Sequence, residues 1–470
     1  MKLFSLRLTT LKSKLYAIVF ASFVVRVVAF FFLPNKGSLI PLDENGYSVI
    51  SDAASTGKSV KDLLGGDELY LASRTLVLPA SALIRIGVDQ VSAVRIVSSA
   101  YGILSICLVA LLFFKIVNKD SDTNKLGLQH KTLILLPFLA FAFLPSHLFW
   151  SILGIREAVM EFWVIAVFLL LFFIFEIKVK NRIFLFLGFL LGIVCVFSSR
   201  PQVGWVLGLS LLIYFTLRIK ESTAQLLIPV TIVGMLVGYA VTSTYSVEVT
   251  STFTTVTSES TTEQNIAAAG QLCKSEGEEL MYKGVKFLCS KEVKKKSVLD
   301  LKNPGRVLVD QADTITFKHE VNKINAESAI RTLECPNSGD SRLDKYFCIA
   351  YRAPYMTFTF LFRPLLGPDV SSSASLFAAA ENVFWLAAFL FILVMLVKNK
   401  RLAFFGAQLP SLLFATIYSV LAGSYEGNMG TAFRHKSLIL WVVILLLAST
   451  IVATQQRRAE QQRISGSSQE

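Results

Sequence analysis

Ten apolar runs recur along this chain, most of them about twenty residues and long enough to cross a bilayer as a helix, with the fifth and sixth shorter and read as a tightly coupled pair. They lie near 15–34, 92–114, 132–150, 157–176, 183–199, 202–217, 225–244, 374–397, 402–422 and 436–454. No soluble core absorbs that many apolar segments. Of the 470 residues, 53% are hydrophobic and 17% charged, and the mean hydropathy is +0.58. A soluble domain of this length would be less apolar and more charged. The pattern predicts an all-α polytopic membrane protein of about ten transmembrane helices.

Lys and Arg fix the expected orientation. Lys2, Arg7, Lys12 and Lys14 precede the first run, and Lys115, Lys119, Lys125 and Lys131 lie between the second and third. Lys178, Lys180 and Arg182 follow the fourth run, Arg218 and Lys220 the sixth, Lys398, Lys400 and Arg401 the eighth, and Arg457, Arg458 and Arg463 the tenth. With ten spans all these clusters fall on one side, so both termini are expected in the cytoplasm of a multi-pass cytoplasmic-membrane protein. The same clusters account for most of the net charge of +13, and no nucleic-acid partner is implied. The first run is too long for a usual signal core, and Pro34-Asn35-Lys36 is a poor cleavage site. It reads as a retained span.

Three regions follow: a membrane module of seven spans at 1–244, an extracytoplasmic insert at 245–373, and a module of three spans with a cytoplasmic tail at 374–470. The first outer loop covers 35–91. The insert opens on a Ser/Thr-rich stretch, residues 242–263, that reads as a solvated connector. Beyond it come Cys273, Cys289, Cys335 and Cys348. Four extracytoplasmic cysteines suggest two disulfides, with three connectivities open. Cys273–Cys289 and Cys335–Cys348 are preferred because each closes a short loop. A zinc site is disfavoured, since no pair has C-x-x-C spacing and His319 stands alone. Cys107 and Cys195 lie inside spans and are expected to pack there.

Ionisable groups gather at the face opposite the basic loops. Asp43 and Glu44 lie in "IPLDENGY", just past the first span. The stretch after them has apolar residues at near-helical spacing and reads as an amphipathic surface helix. "TLVLPASALIRIG", residues 75–87, is too short to span and reads as interfacial or re-entrant. "HLFWSILGIREAVMEF" places His147, Arg156 and Glu157 at the outer edge, and "SSRPQVGW" places Arg200 and Gln202 there. "FRPLLGPD" carries Arg363 and Asp369 ahead of the eighth span, with Glu381 slightly inside it. "SYEGNMGTAFRHKS" carries Glu426, Asn428, Arg434 and His435. Arg26 and Arg95 are expected to snorkel into headgroups, and Arg156 with Glu157 to form a helix-terminal ion pair. Charges within or beside spans are costly and tend to face a cavity. Arginines beside carboxylates suit a phosphate-bearing ligand, because guanidinium binds phosphate in bidentate fashion and a carboxylate can act as a base.

This layout resembles the C-type (GT-C) glycosyltransferases, polytopic enzymes that use lipid-phosphate-linked sugars and include protein O-mannosyltransferases and the aminoarabinose transferases acting on lipid A. "PLDENGYSVISDAA" resembles the family's first outer loop, with its acidic pair, Tyr47 three residues after Glu44, and a surface helix. "LPSHLFWSILGIREAVMEFWVIAVFLLL" resembles the turn between the third and fourth spans. "SSRPQVG" and "GTAFRHKSLILW" are similar to arginine-bearing outer edges of such bacterial proteins. The resemblance covers residues 1–220 best. It implies Asp43 as catalytic base on an acceptor hydroxyl and Glu44 as a group that orients the acceptor or helps hold a divalent cation. It implies Arg156, Arg200 and Arg434 as stabilisers of a polyprenyl-phosphate leaving group. Tyr47, His147, Glu157, Gln202, Arg363, Asn428 and His435 are further candidates for substrate binding. The expected partners are a lipid-linked sugar donor, membrane lipid, and a glycan, protein or lipid acceptor in envelope glycan or glycoprotein biosynthesis. Metal ligands are not identified, no cofactor is certain, and metal dependence stays open.

Two other readings compete. An envelope polysaccharide polymerase or ligase also uses polyprenyl-linked sugars and a large late outer loop, but its chemistry does not require the acidic pair. A transporter or flippase would show internal repeats and mid-span charges, which this sequence lacks.

Overall fold

A computed structural model describes residues 11–33, 41–57, 74–120, 128–176, 183–243, 250–252, 279–282, 285–288, 292–294, 342–370, 373–399, 408–426 and 429–467. The protein is an all-α polytopic membrane protein. Among the described residues seven helices are long and apolar enough to cross a membrane, and three shorter apolar helices, Ile183–Ser199, Pro201–Leu217 and Leu409–Ser424, match the remaining expected runs.

The membrane part begins with α1 (Leu11–Phe32), α2 (Pro41–Thr56), α3 (Arg74–Arg85) and α4 (Gln90–Asp120). There follow α5 (Leu128–Phe143), α6 (Pro145–Ile152), α7 (Glu157–Glu176), α8 (Ile183–Ser199), α9 (Pro201–Leu217) and α10 (Ser222–Ser243). After the insert come α11 (Arg342–Phe362), α12 (Ser373–Asn399), α13 (Leu409–Tyr425), α14 (Met429–His435) and α15 (Ser437–Ser467). The insert also holds two antiparallel two-stranded sheets. In one, β1 (Thr250–Thr252) pairs with β4 (Glu292–Lys294), and in the other β2 (Glu279–Tyr282) pairs with β3 (Val285–Leu288).

The chain divides into two compact units. One contains 1–244, 364–418 and 433–470, so the N-terminal module and most of the C-terminal module belong to a single body; the other contains 245–363 and 419–432. Within the second unit, Gly423 lets its helix approach the chain at Met356, where a Cβ would meet the carbonyl oxygen at 2.8 Å.

Two prolines shape the first unit near the site. The residue before a proline is driven out of the helical region, and proline itself suits the first helical position. Leu144 is accordingly extended ahead of Pro145, and Arg200 is extended ahead of Pro201. The α8–α9 hairpin closes tightly around Arg200, because a Cβ on Gly204 would lie 2.5 Å from the Phe197 ring.

The third expected span is therefore two helices, α5 and α6, broken at Leu144. The break frees backbone groups that the membrane interior would leave without water. Buried polar and charged side chains serve them instead. The Ala142 carbonyl accepts from Ser22 Oγ at 3.1 Å and from Arg26 Nη1 at 3.2 Å. The Ser146 N–H donates to Glu381 Oε2 at 2.8 Å.

Three expectations need correction. The acidic pair does not precede the amphipathic helix but sits in its first turn, since α2 begins at Pro41. That helix does not simply lie on a lipid surface. Tyr47 and Ile50 pack in one buried cluster with Leu76, Val77 and Ala80 of α3, Ala93, Val94 and Val97 of α4, and Val159 of α7. Nor do Arg26 and Arg95 snorkel: each is 1% exposed and held by protein acceptors.

Candidate functional site

Glu44 stands on the inward face of α2 with Tyr47, Ser48 and Ser51, all buried at helical spacing. Its Oε1 accepts from Arg95 Nε at 2.6 Å and from the Gly154 N–H at 3.0 Å, and its Oε2 accepts from Arg95 Nη2 at 3.0 Å. Both oxygens are thus engaged by protein donors. Gly154 permits this approach, since a Cβ there would lie 2.5 Å from Val94 Cγ2 and 3.3 Å from the same carboxylate. The bond ties the first turn of α2 to the α6–α7 turn. Asp43 is the neighbouring residue in that first turn; its side chain lies outside the described residues.

Two residues beyond Gly154, the α6–α7 turn presents Arg156 and Glu157. Glu157 opens α7 and is buried. It does not pair with Arg156. Its Oε1 lies 3.0 Å from Arg434 Nε and 3.8 Å from His435 Nε2, without an aligned hydrogen bond to Oε1. Arg200 comes from the α8–α9 turn, and its Nη1 lies 2.6 Å from His435 Nε2. A guanidinium can only donate, so His435 accepts at Nε2 and carries its proton on Nδ1.

Burial holds His435 well below the ordinary imidazole range, and the charges of Arg200, Arg434 and Arg156 add to the effect. Charges from the α6–α7 turn, the α8–α9 turn and α14 thus bear on one neutral imidazole, and Arg434 also faces the Glu157 carboxylate. The next residue, Lys436, is buried and donates to Asn382 Oδ1. Burial pushes its ammonium down to about 7, against the pull of Glu381.

His147 belongs to a different buried group. Arg26 Nη2 donates to His147 Nδ1 at 2.8 Å, and Arg26 Nε donates to Ser151 Oγ at 2.9 Å. His147 Nε2 faces Glu161 Oε1 at 3.3 Å. Glu161 is four residues beyond Glu157 and so lies on the same side of α7. Sequence reasoning passed over Glu161, although a carboxylate inside an apolar run was a signal in itself.

The remaining candidates are dispersed. Gln202 is exposed in the first turn of α9, and Arg363 follows α11 in the other unit. Asp369 Oδ2 accepts the Leu365 N–H and closes a turn. Glu381 is held by Ser146 and Trp385. Asn428, Cys273, Cys289 and Cys335 lie outside the described residues, while Cys348 is in α11. Among the described residues no group of three or more His, Cys, Asp or Glu side chains could hold a metal ion.

No family model matches the sequence, and no curated protein matches it. Among solved structures, the chain is similar to the apo crystal structure of ArnT from Cupriavidus metallidurans. The identity is 13% and the TM-score 0.36, over 93% of this chain and 78% of that one.

Proposed function

We propose that this protein is a membrane glycosyltransferase of the C type, which moves a sugar from a polyprenyl-phosphate carrier to an acceptor at the outer face of the cytoplasmic membrane. One observation carries the reading. The Glu44–Gly154 bond joins the helix turn bearing Asp43 to the turn bearing Arg156 and Glu157, beside Arg200, Arg434 and His435. A candidate base and a cluster of phosphate-binding side chains therefore belong to one end of the same helical body.

In this reading Asp43 takes the proton from the acceptor hydroxyl as that oxygen attacks the anomeric carbon. The C–O bond to phosphate breaks, and the arginines stabilise the charge that collects on the departing phosphate. Glu44 acts as a support, because Arg95 and Gly154 engage both its oxygens. The assay is transfer from a synthetic polyprenyl-phosphate sugar in detergent or vesicles, with Asp43→Asn beside wild type. Loss of transfer in a folded, membrane-inserted variant is expected. Near wild-type turnover would reject the mechanism.

A further inference from the structure

The arginine cluster also discriminates between two states of the phosphate, an inference that rests on the glycosyltransferase reading above. A sugar-loaded carrier is a phosphodiester with two non-bridging oxygens and one negative charge. Once the sugar has left, the carrier is a phosphomonoester with three non-bridging oxygens, and its second ionisation lies near pH 6.

Arg156 and Arg200 enter from the α6–α7 and α8–α9 turns and Arg434 from α14, so they come from three separate elements rather than one helix face. Each guanidinium is a planar fork that prefers two oxygens. Arg200 and Arg434 are linked through His435 and Glu157 by contacts of 2.6 to 3.8 Å, and the charge of Arg156 bears on the same imidazole; forks from three elements suit three oxygens better than two. Glu157 already supplies a carboxylate inside this group, 3.0 Å from Arg434 Nε, with no aligned hydrogen bond to its Oε1. That oxygen is poorly aligned with the guanidinium, and a better-aligned anion can take its place at Arg434.

We infer that this cluster binds the phosphomonoester form of the carrier in preference to the phosphodiester form, and that the phosphate displaces Glu157 from Arg434. Donor binding is thereby kept weaker than the grip on the departing phosphate, so interaction energy is concentrated where charge develops.

The test uses the full chain in detergent and three probes: dodecyl phosphate, methyl dodecyl phosphate and inorganic phosphate. Binding is measured by calorimetry at pH 8 and pH 5. At pH 8 dodecyl phosphate is expected to bind roughly tenfold or more tightly than its methyl ester. At pH 5, where the monoester holds a single charge, the ratio should fall toward one. The charged and titratable groups around the site are Arg156, Arg200, Arg434, Glu157, His435 and Lys436. Changes in their charge act on both probes and largely cancel in the ratio. Glu157→Gln should tighten both probes several-fold, since the competing anion is gone.

Equal affinities at pH 8, or a ratio unchanged at pH 5, would overturn the inference while leaving the glycosyltransferase reading in place. Inorganic phosphate binding as tightly as dodecyl phosphate would assign the site to free phosphate and overturn the carrier. Failure of every probe to bind would reject the phosphate site and the function proposed above.

Discussion

Arg200 and His435, 235 residues apart in sequence, meet at 2.6 Å, with a guanidinium N–H donating into the Nε2 of a neutral imidazole. The contact joins the α8–α9 turn to the end of α14, just ahead of the last membrane helix. It brings Arg200 beside the imidazole that also lies 3.8 Å from Glu157 Oε1.

Arg200→Lys should therefore lower transfer on the order of 10²-fold, since an ammonium keeps the charge but loses the planar fork. Kinetics with the polyprenyl-phosphate sugar check this. A variant at full activity would remove Arg200 from phosphate binding.

The acidic pair should separate by readout. Asp43→Asn is expected to cost roughly 10²–10⁴-fold in turnover with little change in thermal stability. Glu44→Gln should instead destabilise the fold by about 3–5 kcal/mol, because it leaves Arg95 buried with a broken partner. Unfolding curves in detergent compare the two. A Glu44→Gln protein of normal stability but no activity would return Glu44 to the chemistry.

Lys436 makes stability depend on pH. Its folded value, about 7, lies below its ordinary value of 10.5, so between those limits the unfolded chain binds more protons. Stability should then rise as pH increases from about 7 to 10.5, and Lys436→Met should flatten that rise. His435, also depressed, adds a rise with pH that ends near 6.5. Unfolding midpoints across pH 5–10, for both chains, provide the test. A wild-type profile falling over pH 7–10 would contradict the buried amine.

Arg26→Leu should destabilise the α5–α6 break, since Ala142, His147 and Ser151 all lose a donor. A loss of about 3 kcal/mol or more is expected, as for a broken buried charge network. Glu161→Gln in the same background should add less than its own separate cost. Strict additivity in a double-mutant cycle would uncouple Arg26 from Glu161.

The insert is proposed to lie outside the membrane with two disulfides, Cys273–Cys289 and Cys335–Cys348, each contributing on the order of 3 kcal/mol. Non-reducing peptide mapping should recover both links, and four free thiols would refute them. Labelling of a reduced sample should reach Cys273 from outside. Labelling only after the membrane is breached would reverse the topology.

The helices were readable because their cause is local. A run of apolar residues long enough to span a bilayer has one stable backbone choice, and a proline sets the conformation of the residue before it. Hence the ten runs, and the turns that expose Arg156 and Arg200, follow from the sequence alone. The partners of the charges do not. Glu44 finds Arg95 51 residues away, Arg26 finds His147 121 residues away, and Glu157 faces Arg434 rather than its neighbour Arg156. Adjacent residues on a helix point about 100° apart, so sequence proximity made Asp43–Glu44 and Arg156–Glu157 look like pairs. Only tertiary packing decided which partner each buried charge meets, because a charge inside a helical bundle is tolerated where another element brings it a partner.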